Sequence, residues 1–177
     1  MKKALVFLAD GCEMCEALCV VDVLRRGGVA VTTVGVGKER VISSHKVEIK
    51  ADCVLSQDLS RSWNLVFCPG GMPGATNLSS SDLVNSIIME NYREGRVVSA
   101  ICASPAVVFG PLGILNSGKA TCYPGFEKYL DGAEYTADMV TVDGNIITGR
   151  GPAAAMPYGY ALLSLFVGRD DVKAIED

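Results

Sequence analysis

The sequence predicts an α/β fold of the doubly wound type, with helices on both faces of a mostly parallel sheet. Along the 177 residues, short β-branched and apolar runs alternate with longer helical stretches. Several runs are apolar at every position, which is typical of strands that are buried on both faces and joined by helical crossovers. No linker, repeat or low-complexity segment interrupts this pattern, so we expect one domain over residues 1–177.

The first part of the chain predicts two strands, a helix and a hairpin. Lys3–Ala9 is a short apolar strand that ends at an Asp-Gly pair. Glu16–Arg26 carries apolar residues at helical spacing and is stopped by Gly27-Gly28. Val29–Val36 is the second β-rich run, and residues 41–49 contain two short runs that predict a hairpin.

The second part continues the alternation. The apolar strand Leu65–Cys68 stops at Pro69, and a helix that Ser80 or Ser81 caps runs to Glu94. The remaining predicted elements are strands at 97–101 and 119–122, a hairpin of 140–142 and 146–148, and a long apolar helix from 152 to about 167.

Composition and charge exclude several functional classes. The formal net charge of −4 and the scattered basic pairs leave no surface that could follow a phosphate backbone, so we expect no nucleic-acid partner. The apolar run after Met-Lys-Lys is too short for a signal peptide, and no run approaches the ~20 residues that span a bilayer. Seven cysteines, an odd number, indicate a reducing compartment rather than a disulfide scaffold. We therefore expect a cytoplasmic protein without a membrane partner.

Cys102 is the first candidate for chemistry, because ligands of parallel α/β sheets bind beyond the carboxyl ends of the strands. It follows the strand 97–101 and lies between the small residues Ala100 and Ser104, as the sharp turn of a nucleophile elbow requires. Such a turn would expose Cys102 at a helix N-terminus, where the helix dipole favours the thiolate. A packing cysteine in the core is the alternative.

The glycines after the strand Leu65–Cys68 are the second candidate. Gly70 and Gly71 allow the backbone to approach a ligand closely, and the amides of Gly71 and Ala103 could form an oxyanion hole with two donors. The alternative is that these glycines form a plain turn after Pro69.

The loop after the first strand supplies acids and thiols. A carboxylic acid beside a thiolate in a partly buried crevice has a raised pKa and can donate a hydrogen bond to the sulfur, which fits Glu16. A carboxylate that stabilises the helix dipole is the alternative. Cys12-x-x-Cys15 has the spacing of a redox dithiol, although an incidental pair fits equally. No metal site is expected, because a second ligand pair is missing.

Two further polar residues have open roles. His45 lies in the predicted hairpin, where we expect an exposed polar side chain rather than a base for the cysteine. Arg150, ahead of the last helix, is either an anion-binding residue or a surface residue at the helix entry.

Four motifs occur together in this chain. In order, they are Glu16 after the first strand, Pro69-Gly70-Gly71-x-x-Gly74-Ala75, Ala100-Ile101-Cys102-Ala103, and Gly149-Arg150-Gly151-Pro152. The combination resembles the ThiJ/PfpI superfamily and, within it, the branch of the parkinsonism-associated protein deglycase and its bacterial relatives. The resemblance covers essentially the whole length, including residues 21–28.

This resemblance implies a flavodoxin-like sandwich that forms a homodimer and uses no cofactor. By position, the reactive cysteine is Cys102, its protonated glutamate partner is Glu16, and Gly71 and Ala103 supply amide donors. Activities attributed to the branch are conversion of methylglyoxal to lactate, removal of early glycation adducts from proteins, chaperone-like protection and peroxide sensing through a sulfinic acid. The implied partners are small reactive aldehydes or glycated protein side chains.

Three positions depart from the family's pattern. Tyr123 stands where the branch has a histidine near the cysteine, so no imidazole base is available there. Ala103 stands where the protease-like branch has a histidine, which argues against a peptidase. His45 replaces an anion-binding arginine, while Arg25 and Arg26 remain.

Two functional hypotheses follow. In the first, the Cys102 thiolate adds to the aldehyde of a 1,2-dicarbonyl, and Glu16 moves a proton so that the adduct becomes a 2-hydroxy acid. In the second, the chain is a redox-sensing or chaperone-like stress protein without significant turnover. The residues expected as neighbours of the site are Gly70, Cys12, Cys15, Tyr123, Arg25 and Arg150.

Overall fold

The computed structural model describes residues 1–59 and 62–177. The strands in these ranges are β1 Lys3–Leu8, β2 Ala30–Gly35, β3 Arg40–Ile42, β4 Glu48–Lys50, β5 Cys53–Val54, β6 Leu65–Cys68, β7 Val97–Ile101, β8 Lys119–Ala120, β9 Glu134–Tyr135, β10 Val140–Asp143 and β11 Ile146–Gly149. The α-helices are α1 Met14–Arg26, α2 Gly74–Ser79, α3 Asp82–Arg93, α4 Ala155–Leu163 and α5 Arg169–Glu176. Single helical turns cover Pro105–Phe109, Glu127–Tyr129 and Pro152–Ala154.

Seven strands form the main sheet in the order β10-β11-β7-β6-β1-β2-β5. All neighbours in this sheet are parallel except the hairpin of β10 and β11. The predicted doubly wound, mostly parallel α/β fold is therefore confirmed. β2 lies on one side of β1 and β6 on the other, so the strand order reverses at β1. In such sheets the ligand crevice lies at the carboxyl ends of the strands that flank the reversal.

The side chains of β1 show why both faces of the sheet are covered. Ala4, Val6 and Leu8 belong to the apolar core that α1 and α4 complete. Leu5 and Phe7 point the other way, into the core that α2 and α3 complete. Successive strand residues point to opposite faces, and all five of these side chains are fully buried, as the continuous apolar run predicted.

Most predicted elements occur within one or two residues of their expected limits, and the difference at α1 has a local cause. The helix begins at Met14 because the Glu13 side chain caps it: Glu13 Oε2 accepts a 2.8 Å hydrogen bond from the backbone N–H of Glu16. A carboxylate at this position also interacts favourably with the helix dipole.

Two predicted elements differ more. The strand 119–122 shrinks to β8, which pairs with β9 outside the main sheet, because the N–H of Thr121 donates to Thr148 Oγ1 instead of a strand carbonyl. The long helix 152–167 is reduced to α4 after one 3-10 turn, and the separate helix α5 follows. Within the described ranges, no helix is long and apolar enough to cross a lipid bilayer.

Candidate active site

Cys102 occupies the sharp turn directly after β7. Its φ is +65°, a left-handed conformation that side chains other than glycine rarely adopt. The backbone on both sides fixes this turn: the N–H of Cys102 donates to the Gly149 carbonyl, and its own carbonyl accepts from the N–H of Tyr123, both at 2.8 Å. The backbone conformation is that of the predicted elbow.

Two expectations about this cysteine are wrong. Cys102 is only 8% exposed, so the elbow buries the thiol rather than presenting it. The segment that follows is a single π-helical turn, Pro105–Phe109, which is too short for a helix dipole to favour the thiolate. The ionisation of Cys102 is therefore set by its immediate neighbours.

Glu16 is one of these neighbours and is fully buried in the first turn of α1. Its Oε2 accepts a 2.8 Å hydrogen bond from the N–H of Gly70, and the carboxyl group also interacts with the Cys102 thiol. Oε1 is buried and has no hydrogen-bond partner among the described residues. Burial raises the pKa of Glu16 to about 7, against the weaker effects of Cys102 and Gly70.

Cys102 and Glu16 therefore titrate as a pair. Burial, the adjacent Glu16 charge and the hydrogen bond to Glu16 raise the pKa of Cys102 to about 12, while the amides of Gly71 and Ala103 lower it. Because two negative charges in one buried site repel each other, the pair retains one proton well above neutral pH. A thiolate at Cys102 thus requires that Glu16 hold that proton.

Gly70 and Gly71 bring the backbone against this pair. A Cβ atom at Gly70 would lie 2.5 Å from Cys102 Cβ and 2.6 Å from Glu16 Oε2, so only glycine fits there. Gly71 has a φ of +85°, and a Cβ there would lie 2.4 Å from the backbone nitrogen of Glu13. The close approach of Gly70 is thus directed at Glu16 and Cys102, whereas that of Gly71 is directed at the backbone of the loop after β1.

The sequence interpretation gave no role at the site to Glu13 or to the hydroxyl of Ser104. Glu13 is 9% exposed, and its N–H donates a 2.9 Å hydrogen bond to the Gly70 carbonyl. Ser104 is buried, and its hydroxyl donates to the Pro69 carbonyl at 2.6 Å. A carboxylate directly before a helix, with a second one three residues later, is a capping signal that could have identified Glu13. Ser104 fitted the elbow merely as a small residue, which concealed its hydrogen bond.

The cysteines of the first loop and of α1 differ in how far they are exposed. All seven cysteines are unpaired thiols. Cys12 is buried, with its pKa raised to about 11 mainly by burial, and its backbone borders Gly71 and Gly74. Cys15 is exposed, so the structure does not place it in the crevice.

Tyr123 and Arg150 line a separate cavity of about 240 Å³ beside the elbow, together with Pro124, Met139 and residues 151–154. A Cβ at Gly151 would lie 3.0 Å from the Tyr123 ring, so a side chain there would displace the ring slightly. Arg150 donates to the Ala137 carbonyl at 3.3 Å. Tyr123 contacts Cys102 through the backbone, and its side chain is about half exposed.

Arg25 and His45 are not brought to the site. Arg25 lies nine residues after Glu16 on α1, or about 13 Å along the helix, and forms a 2.8 Å ion pair with Asp52. His45 lies in the turn between β3 and β4, where Nδ1 is 3.1 Å from Ser44 Oγ. In residues 1–59 and 62–177, no group of three or more His, Cys, Asp or Glu side chains could hold a metal ion.

Comparisons with known proteins identify the family. A model described as the DJ-1/PfpI family matches residues 2–165. Protein DJ-1 homolog B of Arabidopsis thaliana is 37% identical over 99% of this chain, which spans 40% of that protein. This chain likewise spans only 43% of a second Arabidopsis relative, homolog A. A glutathione-independent glyoxalase of Caenorhabditis elegans is 27% identical over 98% of this chain and 94% of its own length.

Solved structures agree with this assignment. A DJ-1 superfamily protein of Salmonella typhimurium superposes with a TM-score of 0.93 at 30% identity, covering 98% of this chain and 95% of that one. Oxidized DJ-1 of Toxoplasma gondii gives a TM-score of 0.93 at 32% identity, covering 99% and 96%. The chain belongs to the DJ-1/PfpI family.

Proposed function

We propose that this chain is a cysteine-dependent, cofactor-free glyoxalase that acts on 1,2-dicarbonyls such as methylglyoxal, and a deglycase toward their early protein adducts. One observation carries the proposal: the Cys102 thiol interacts with the buried carboxyl group of Glu16 and with the backbone amides of Gly71 and Ala103. The relative described as a glutathione-independent glyoxalase supports the same reaction class.

The first step forms a carbon–sulfur bond. The Cys102 sulfur attacks the aldehyde carbon while Glu16 holds the shared proton, and the carbonyl oxygen becomes the oxyanion of a hemithioacetal. The amides of Gly71 and Ala103, which interact with the Cys102 sulfur, are the donors that we assign to this oxyanion. The oxyanion then takes the proton from Glu16.

The second step moves a proton within the adduct. Glu16, now a carboxylate with a pKa near 7, removes the proton from the former aldehyde carbon while the hydroxyl proton of the adduct moves to the neighbouring ketone oxygen, giving an enediolate. Return of the proton to the neighbouring carbon produces a 2-hydroxy thioester of Cys102. Water hydrolyses the thioester, which releases the 2-hydroxy acid and leaves Cys102 and Glu16 with their one shared proton. The overall reaction adds one water to the dicarbonyl without an external oxidant.

Methylglyoxal turnover to lactate tests this proposal directly. We expect no turnover above the uncatalysed rate in Cys102→Ala, and a large loss in Glu16→Gln, whose amide cannot accept and return the proton. Cys53→Ser is the matched control, because Cys53 is a partly exposed thiol on the edge strand β5. Equal rates in the wild-type chain and Cys102→Ala would overturn the proposal.

Redox sensing is the second candidate, and the orphan oxygen of Glu16 favours it. A protonated Glu16 could donate a hydrogen bond from Oε1 to an oxygen of a Cys102 sulfinate. Two equivalents of peroxide add two oxygens, about 32 Da, and release two waters. Peptide mapping after mild peroxide should find this mass on Cys102, and Glu16→Ala should weaken the preference. Client protection that survives Cys102→Ala, without turnover, would instead favour a chaperone-like role.

A cytoplasmic homodimer completes the proposal. Sedimentation of the purified chain and fractionation of cells that express it would test these two points. The release of free amino groups from a freshly glycated peptide would be measured beside the turnover of methylglyoxal, supplied at the concentration that is free in the peptide sample. A difference between the two rates would separate deglycase activity from glyoxalase activity.

A further inference from the structure

A second cavity, larger than the one beside the elbow, has no part in the proposed reaction. Its volume is about 510 Å³, and it lies between residues 106–111 on one wall and residues 126–131 on the other. We call it the aromatic cleft, because the rings of Phe126 and Tyr129 line it. Cavities of roughly 300–1,000 Å³ with mostly apolar linings are typical of small-molecule sites.

The two walls of the aromatic cleft are held close together. A Cβ atom at Gly110 would lie 2.4 Å from the Tyr129 carbonyl oxygen, so only glycine permits this approach. The rings of Phe126 and Tyr129 have their centroids 6.4 Å apart and are tilted by 58°, a geometry that a third ring can extend edge-to-face. The cleft therefore suits a ligand with an aromatic ring.

Two opposite charges, on Lys128 and Asp131, also line the aromatic cleft. The Lys128 ammonium lies 4.9 Å from the centroid of the Tyr129 ring. Glu127, the nearest acid in sequence, is turned away, because its two carboxylate oxygens accept the N–H of Gly125 at 2.9 Å. In the part of the chain that the structure describes, Lys128 and Asp131 form no ion pair, either with each other or with another residue.

These two charges restrict what the ligand can be. Asp131 has a φ of +50°, a left-handed conformation that is uncommon outside glycine and recurs at functional sites. A simple anion would be attracted by Lys128 and repelled by Asp131, and a simple cation the reverse. A ligand that carries both charges pairs with both residues. A residue inside a peptide lacks the two charges, whereas a free amino acid has them.

We propose that the aromatic cleft binds a free aromatic α-amino acid. The ring lies beside Phe126 and Tyr129, the carboxylate pairs with Lys128, and the ammonium group pairs with Asp131. Binding is noncovalent and leaves Cys102 free, so the site is independent of the proposed reaction.

L-Phenylalanine is the probe, and a titration followed by the NMR signals of the ligand measures its Kd. Two analogues each lack one charge: 3-phenylpropionate has no ammonium group, and 2-phenylethylamine has no carboxylate. We expect one phenylalanine per chain and about 5-fold weaker binding of each analogue, the effect of one exposed ion pair. L-Alanine, which has no ring, should bind more weakly than either analogue. No binding of phenylalanine, or equal binding of phenylalanine and an analogue, would overturn the proposal.

Matched variants assign each charge to its residue. Lys128→Gln should weaken the binding of phenylalanine and 3-phenylpropionate but not that of 2-phenylethylamine. Asp131→Asn should weaken phenylalanine and 2-phenylethylamine but not 3-phenylpropionate, and asparagine tolerates the left-handed conformation. Lys173→Gln, at an exposed position of α5, is the control and should bind phenylalanine as the wild-type chain does. Equal Kd values in Lys128→Gln and Lys173→Gln would contradict the assigned carboxylate contact and overturn the proposal.

Two further variants locate the ligand in the chain. Tyr129→Ala should weaken phenylalanine binding by about 10-fold, the effect of one aromatic contact. Tyr129 is half exposed, so we expect this variant to fold, and circular dichroism checks that it does. Cys102→Ala should bind as the wild-type chain does. Unchanged affinity in Tyr129→Ala, or loss in Cys102→Ala, would overturn the proposal. Methylglyoxal turnover does not enter these readouts, so failure of either proposal leaves the other standing.

Discussion

The hydroxyl of Ser104 donates a 2.6 Å hydrogen bond to the carbonyl oxygen of Pro69, and this bond joins the loops that end β7 and β6. Both loops carry parts of the candidate site, because the Gly71 amide belongs to one and the Ala103 amide to the other. Since the Ser104 hydroxyl is buried, no water can replace it. The relative position of the two amides therefore depends on Ser104.

Ser104→Ala is expected to lose both stability and turnover. It leaves the buried Pro69 carbonyl unpaired, which costs about 1–3 kcal/mol in the free energy of unfolding, and it frees the two loops to shift. Denaturant unfolding and methylglyoxal kinetics measure the two effects. Ser164→Ala is the control, because Ser164 donates a 2.7 Å hydrogen bond to the Ala161 carbonyl at an exposed position. Similar losses in both variants would contradict the special role of Ser104.

Gly70→Ala should abolish turnover through a steric conflict. The new methyl group would meet Cys102 Cβ at 2.5 Å and Glu16 Oε2 at 2.6 Å, so the pair must separate. A misplacement of about 1 Å can cost roughly 100-fold in rate. Gly28→Ala is the control: its φ is +77° and nothing lies within 4 Å of the added carbon, so about 1 kcal/mol of stability is lost and turnover persists. Wild-type kcat in Gly70→Ala would refute this reading of the geometry.

How far the site could be predicted differs from residue to residue. Local sequence predicted the elbow at Cys102, because small neighbours and an abrupt change from strand to turn are visible in a short window. The depth of the thiol was not predictable in this way, since its burial arises from Gly70 and Glu16, which are distant in sequence. Arg25 was expected near the site because of the family's anion-binding arginines, whereas in the structure it forms an ion pair with Asp52.

The elements of the fold also differ in how far the sequence predicted them. Continuous apolar runs predicted the parallel strands, and Gly28 ended α1 as expected, with a φ of +77°. The limits of the last helix were not predictable, because residues 152–167 are mostly apolar and Ser164, which directly follows α4, is not a stop signal of the kind that Gly27-Gly28 gives after α1. Uniform composition predicts burial there but not the element's ends.

Glu16→Gln should change how stability depends on pH. The pKa of Glu16 is about 7 in the folded chain against an ordinary value of 4.5, so below pH 4.5 the carboxyl is protonated in both states. As pH rises toward 7, the unfolded chain releases this proton and the folded chain keeps it, which destabilises the fold by roughly 3 kcal/mol. Glu16→Gln has no carboxyl group at this position, so its free energy of unfolding should not show this decrease. Glu176→Gln, at the exposed C-terminal end of α5, should follow the wild-type curve, and parallel curves for Glu16→Gln would contradict the expectation.

The alkylation of Cys102 by iodoacetamide should report the shared proton. In the wild-type chain, Cys102 and Glu16 together lose their first proton near pH 7. Above this pH the remaining proton is shared, and the fraction of chains in which Glu16 holds it and Cys102 is a thiolate sets a constant alkylation rate. The second proton leaves only near pH 12, because the neighbouring group is then charged. Glu16→Gln leaves one titrating group, so its rate should rise in a single step. Peptide mapping isolates the Cys102 rate, with the exposed Cys15 in the same digest as the internal control. One step with the same midpoint in both proteins would mean that Glu16 does not share a proton with Cys102, and the proton transfers assigned to it would then need another residue.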